Sequence, residues 1–270
     1  MKEIHGKTAV ITGASRGIGV YIAKALAREG VNISLAARSA NELESVAQEL
    51  TRLGAKAVAI PTDITVESDR LSLIRRTKEQ LGPIDILVNN AGIVEWTHFY
   101  RQKESDITRI VNTNLMAPLL LARMVLPEMI ERKSGHVVTI SSLSGKKGVP
   151  YEAMYSATKA GLFQWANALW LELEGSGVGV STILPGYVSE VGMAASGAIP
   201  PPKSARSVPP ERVARAVVRA IREHLQEVVV RSGPTRIMYA LNELSPGIGN
   251  WLMMRLGVVE HHRTLVHDQE

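Results

Sequence analysis

Two kinds of hydrophobic pattern alternate along this chain. Short strand-like apolar runs fall at Thr8 to Thr12, Asn32 to Ala37, Ala57 to Pro61, Ile84 to Asn89, Gly135 to Ile140, Gly179 to Leu184 and Glu227 to Arg231. Between them lie helical patterns near Gly17–Glu29, Ala40–Leu53, Glu67–Leu81, Glu104–Glu131, Tyr155–Glu174 and Pro210–His224. This alternation predicts an α/β fold, a doubly wound parallel sheet of about seven strands with helices on both faces. No linker, repeat or low-complexity block interrupts it, so residues 1–232 are expected to form one domain. The segment 189–209 differs, being rich in Ala, Gly, Ser and Pro and containing Pro200-Pro201-Pro202. A long irregular insert of this kind is expected to be a substrate loop. Residues 233–270 follow as a short helical extension, with helices expected at Thr235 to Leu244 and Ile248 to Leu256.

Composition narrows the class. The 270 residues suffice for one large α/β domain. No run of some twenty uninterrupted apolar residues occurs, so no membrane span is expected. The N-terminus enters a strand almost at once, and no signal peptide is expected. The chain has no cysteine, which excludes disulfides and thiolate metal ligands and fits a cytoplasmic protein. Its net charge of +5 is spread out, with no basic stripe that would point to nucleic acid. The seven histidines lack zinc-type spacing, and His261-His262 are expected to be solvated in a polar tail. No metal site is expected.

Two local patterns carry chemistry. Thr12-Gly13-Ala14-Ser15-Arg16-Gly17-Ile18-Gly19 follows the first strand and opens the first helical pattern. A glycine-rich turn there lets the backbone approach a pyrophosphate at a helix N-terminus. Tyr155 and Lys159, in YSATK, stand four apart and so share a helix face. A free tyrosine titrates near about 10, and a neighbouring ammonium favours the phenolate. The pair therefore suits a general acid or base.

With these patterns in place, the chain resembles the short-chain dehydrogenases/reductases from about Lys7 to Val230. Its glycine spacing is Gly-x-x-x-Gly-x-Gly. Asn89-Asn90-Ala91-Gly92 matches that family's NNAG motif, and Asp63-Ile64 its adenine-contacting position. Asn114, Ser142, Tyr155 and Lys159 match its catalytic tetrad in order, at intervals of 28, 13 and 4 residues. Pro185-Gly186 matches the loop beside the nicotinamide. The resemblance implies a Rossmann-type fold. It also implies a cofactor site made by Gly13, Ser15, Arg16, Gly17, Ile18, Gly19, Arg38, Asp63, Ile64, Asn90, Gly92, Tyr155, Lys159, Pro185, Gly186 and Val188. The second strand ends Ser34-Leu35-Ala36-Ala37-Arg38, without the acid that binds the ribose hydroxyls of NAD. Arg38 and Arg16 are then expected to flank the 2′-phosphate of NADP(H).

By the same resemblance, Tyr155 exchanges a proton with the substrate oxygen, and Lys159 holds the nicotinamide ribose and lowers the tyrosine pKa. Ser142 donates to the substrate oxygen, and Asn114 kinks its helix and holds a relay water. Two departures stand out. Glu190 occupies the place of the family's threonine after Val188, with Ser189 a substitute by a one-residue shift. The tail departs as well, carrying Ile248, Trp251, Leu252 and Leu256 at helical spacing. It is expected to act as an apolar cover, a subunit contact or a peripheral membrane contact. Phe163, Trp165, Trp170 and Leu171 on the Tyr155 helix imply, through the resemblance, a homodimer or homotetramer.

The expected activity is NADP(H)-dependent interconversion of a ketone or aldehyde with an alcohol, on an apolar or lipid-like substrate. A 3-oxoacyl or sugar-alcohol reductase is the alternative enzyme, and a non-catalytic NADP-binding module the alternative outside catalysis.

Overall fold

The computed structural model describes residues 1–191, 207–231 and 235–267, with side chains left out at 235–238 and 267. The middle of the proline-rich segment, 192–206, lies outside the described residues. Strands and helices alternate from the start: β1 (Thr8–Thr12), α1 (Ile18–Arg28), β2 (Asn32–Ala37), α2 (Ala40–Arg52), β3 (Ala57–Pro61) and α3 (Glu67–Leu81). The second half runs β4 (Ile86–Asn89), α4 (Glu104–Val111), α5 (Ala117–Glu131), β5 (Gly135–Ile140), α6 (Ala153–Glu172), β6 (Val178–Pro185), α7 (Pro210–Glu223) and β7 (Glu227–Val230). Three further helices follow, α8 (Thr235–Leu244), α9 (Pro246–Arg255) and α10 (Val258–His267).

The seven strands form one sheet in the order β3-β2-β1-β4-β5-β6-β7, every pairing parallel. Ile11 of β1 stands opposite Leu35 of β2 and Val88 of β4. Because successive side chains on a strand point to opposite faces, neighbouring residues enter different cores. Ile11, with Ile33 and Leu35, packs against Ile22 and Leu26 of α1 and Val217 and Ile221 of α7. Val10 and Leu87 pack on the other face with Leu73, Leu121, Val125 and Leu169. Strands covered on both faces need continuous apolar runs, and all five residues of β1 are buried. The chain's winding reverses between β1 and β4. At that switch point a crevice opens beyond the carboxyl ends of the strands.

Three elements differ from the hydrophobic pattern. β4 begins at Ile86 rather than Ile84. The residue before it, Asp85, is buried and accepts from Thr8 N at 3.1 Å and from Arg132 Nη1 at 2.8 Å. The apolar run Glu104–Glu131 is not one α-helix, since Asn112–Met116 forms a π-turn between α4 and α5. By length and composition that run could cross a membrane. Its apolar residues Leu121, Val125 and Met129 are instead buried in the core. Finally, the polar tail folds as α10, with His262, Leu265 and Val266 buried.

Candidate active site

The loop from β1 to α1 lies against the loop after β4. Gly13 has φ +65°, and a Cβ there would stand 2.8 Å from Ala91 Cα. A Cβ on Gly19 would meet Gly13 O at 2.2 Å, which no side chain tolerates. The two loops are tied by Asn90, whose Nδ2 donates to Thr12 O at 2.9 Å and Gly13 O at 3.1 Å. Thr12 Oγ1 completes the tie by accepting from Asn90 N and Ala91 N at 3.0 and 3.1 Å. The result is a cradle without side chains in front of the N-terminus of α1, whose first turn carries no acid. Such an end favours a phosphate. Arg16 and Arg38 line the same end of the cleft, both exposed, together with Ser15, Ile18 and Ile64. Asp63 accepts from Thr65 N and Oγ1 at 2.9 and 2.6 Å. The Thr65 hydroxyl, and more weakly Arg38, hold its carboxyl below the usual range. The residues present fit a phosphorylated dinucleotide.

The tetrad residues converge further along the cleft. Asn114 sits in the π-turn, fully buried, where the extra residue turns its side chain toward the loop after β4. Its Oδ1 accepts from Ile93 N and its Nδ2 donates to Ile93 O, both at 2.8 Å. Nδ2 also reaches Thr158 Oγ1 at 3.3 Å, and Thr158 in turn donates to Tyr155 O. Lys159 is buried one turn beyond Tyr155, its Nζ donating to Ile140 O at 2.8 Å. Gly92 leaves room for it: a Cβ there would stand 3.4 Å from both Nζ and Asn114 Oδ1. Ser142 follows β5 and hydrogen-bonds the Tyr155 side chain.

The electrostatics correct one expectation. Lys159 Nζ lies 5.5 Å from the centre of the Tyr155 ring, yet the phenol is not lowered. Burial pushes its pKa well above the usual value, the Glu152 carboxylate adds to that, and the Ser142 hydrogen bond opposes both. Burial likewise brings Lys159 down to about 8. As the chain stands, Tyr155 is a protonated acid at neutral pH, able to give up a proton.

The loop after β6 places Pro185, Gly186 and Val188 along the cleft. Val188 bridges to Val208, and Ser189 N donates to Val208 O at 2.9 Å. The Ser189 hydroxyl is turned to that same carbonyl at 3.3 Å. It is therefore engaged in the loop. Glu190 takes a left-handed backbone with φ +66°.

Some cleft residues were not expected. Tyr239, Leu252, Met253 and Leu265 of the three tail helices line it too, with Leu256 just after α9. His261 and His262 also line the cleft, contrary to the solvated tail read from the sequence. Burial lowers the pKa of both. Glu152 is buried beside Tyr155, accepts from Ser144 Oγ at 2.6 Å, and is pushed up to about 7 by burial. The whole cleft encloses about 920 Å³.

A phosphate cradle at the switch point, followed along one crevice by a buried lysine and a protonated tyrosine, defines a dinucleotide-dependent oxidoreductase. The model of the short chain dehydrogenase family matches residues 7–198, and the chain belongs to that family. A ketoacyl reductase, HetN of Nostoc sp., is 42% identical over 97% of this chain and 93% of the relative. Among solved structures, a metagenomic short-chain oxidoreductase in complex with NADP superposes with TM-score 0.75 at 32% identity, over 86% of this chain and 100% of the other. A variant actinorhodin polyketide ketoreductase with NADPH gives 0.77 at 30% identity, over 84% and 96%.

Proposed function

We propose that the protein is an NADPH-dependent reductase of a ketone carried on an apolar, lipid-like substrate. The observation that carries this is that one cleft is lined by the glycine loop with Arg16 and Arg38, by Tyr155, and by the apolar tail residues Leu252, Met253 and Leu256. NADPH supplies a hydride when bound. Gly13 and Gly19 clear the space for its pyrophosphate, and Arg16 and Arg38 supply the positive charge that a 2′-phosphate needs. Lys159 and Asn90 line the same cleft. Ser142 donates to the carbonyl oxygen as charge develops there. Tyr155 gives its proton to the same oxygen, so that ketone, hydride and proton together make the alcohol.

A 3-oxoacyl substrate is the second reading, favoured by the ketoacyl and polyketide ketoreductase relatives. Pairing of two copies through α5 and α6 is part of the proposal. Exposed Ile130 of α5 and Leu171 of α6 support it, with Met116 just before α5, and light scattering tests it. The activity is tested by NADPH oxidation on methyl ketones of increasing chain length and on 3-oxoacyl thioesters, with NADH and Tyr155→Phe as controls. Turnover that grows with chain length, needs NADPH and disappears in the variant is expected. Tight NADPH binding without turnover on any ketone overturns the reductase and leaves a nucleotide-binding module.

A further inference from the structure

We infer that Glu152 and His262 form a recognition point for a hydrogen-bond donor of the substrate, a hydroxyl or ammonium carried beside the reacting carbonyl. This rests on the reductase reading above and narrows its substrate class.

Glu152 is the residue before α6, yet its side chain makes no capping hydrogen bond to the helix amides. It turns into the cleft, where Ser144 Oγ donates to Oε1 at 2.6 Å and the Trp96 side chain adds a second hydrogen bond. Only 7% of the residue is exposed. Helix α10 brings His262, itself 3% exposed, over the other side: its Nε2 stands 3.7 Å from Glu152 Oε2. That is longer than a hydrogen bond.

The tautomer of His262 follows from its other nitrogen. Nδ1 lies 2.9 Å from Val258 O, and a carbonyl only accepts, so the proton of the neutral ring sits on Nδ1. Nε2 is then an acceptor, and it faces a carboxylate oxygen, also an acceptor. Burial makes both charged forms costly, raising the carboxyl to about 7 and disfavouring the imidazolium. When Glu152 is ionised, two buried acceptors face each other, which is unfavourable until a donor reaches them. The other groups facing Glu152 are Tyr155 and Tyr187, both of which feel its charge, while Arg231 acts on Tyr187. His261 packs edge-on to both Tyr187 and His262. Glu152 precedes Tyr155 by three residues at the start of α6 and lines the same cleft, so the substrate group it reads lies beside the carbonyl that Tyr155 protonates.

The test compares three substrates: octyl methyl ketone, its hydroxymethyl counterpart and its aminomethyl counterpart. The ratio of their kcat/KM values with NADPH is read in the wild type, Glu152→Gln, Glu152→Met and His262→Leu. The wild type is expected to prefer a donor-bearing ketone by roughly tenfold or more. Glu152→Met and His262→Leu are expected to lose that preference. Glu152→Gln separates the sources, because it forfeits a preference for the ammonium and keeps part of one for the hydroxyl. It also carries the test if Glu152→Met fails to fold. A merely structural role would change all three rates together and leave the ratio alone. Equal kcat/KM values in the wild type, or a preference that survives both Glu152→Met and His262→Leu, overturns the inference.

If no ketone is reduced, the reductase reading falls, and calorimetry still decides this one. The same compounds are titrated into the NADPH complexes of Tyr155→Phe and of Tyr155→Phe with Glu152→Gln. Tighter binding of a donor-bearing ketone, weakened by the second substitution, supports the recognition point. Equal binding refutes it.

Discussion

Asn114 grips the backbone of Ile93 from both sides, accepting from its N–H and donating to its carbonyl at 2.8 Å each. An amide is the one side-chain group that offers acceptor and donor in this spacing. The grip fixes the loop after β4 against the π-turn, with Lys159 Nζ close by across Gly92. Asn114→Ala is expected to cost about 2–4 kcal/mol, because two partly buried backbone groups lose their partner. NADPH turnover should fall at least roughly tenfold, the scale of misplaced catalytic groups. Asn114→Asp keeps the acceptor but sets an oxygen against Ile93 O, and should behave little better than alanine. Urea unfolding beside kcat measurements checks both. An alanine variant with wild-type stability and rate refutes this role.

Tyr155 holds its proton at neutral pH, whereas Lys159 is the group poised to titrate. Burial has brought the ammonium to about 8. For the free enzyme, kcat/KM in the reducing direction should be flat below that pH and decline above it, as Lys159 loses its charge. Tyr155→Phe should lower kcat by roughly a hundredfold or more while NADPH still binds. Fluorescence titration with NADPH, run beside the pH profile, separates binding from chemistry. A profile without a break near pH 8 removes Lys159 from the titration.

Two glycines, one in the cradle and one outside it, offer a sharper contrast. A methyl on Gly19 would meet Gly13 O at 2.2 Å, whereas one on Gly148 meets nothing within 4 Å. Gly19→Ala must push the β1–α1 loop off Asn90 and Ala91. Its NADPH affinity is expected to fall at least roughly tenfold, since the pyrophosphate depends on close backbone approach. Gly148→Ala should bind NADPH like the wild type. Equal affinities for the two variants would show that the cradle does not hold the dinucleotide.

Strand order and most boundaries were legible because each strand of this sheet is buried on both faces and announces itself as an apolar run. β2 and β5 match their runs residue for residue. The π-turn was not legible, since Asn112–Met116 continues the helical period of its neighbours and its extra residue shows only in the hydrogen bonds. α10 was missed for a different reason. Glu260, His261, His262, Arg263 and Thr264 read as polar tail, and tertiary contacts bury only the face of His262, Leu265 and Val266. Glu152 escaped notice because a lone glutamate at a helix start is ordinary. What singles it out is burial, which no local pattern carries.

Burial also gives the fold two opposed pH dependences. His136 is buried on β5 with Nε2 2.8 Å from Ser181 Oγ. Burial, and then the N-terminal ammonium, bring its pKa from 6.5 down to about 3. Between those values the unfolded chain binds the proton and the folded one does not. Stability from this residue is therefore complete above pH 6.5 and is lost on acidification, by ~1.4 kcal/mol per pH unit at most. Glu152 runs the other way. Its folded pKa of about 7 exceeds the ordinary 4.5, so the folded state binds the proton in that window. Its contribution is greatest below pH 4.5 and declines as the pH rises to 7. His136→Asn should flatten the acid limb of a melting-temperature profile taken from pH 4 to 8. Glu152→Gln should raise the melting temperature at pH 8 relative to the wild type more than it does at pH 4.5. Profiles of both variants that merely run parallel to the wild type would show that neither group titrates with folding.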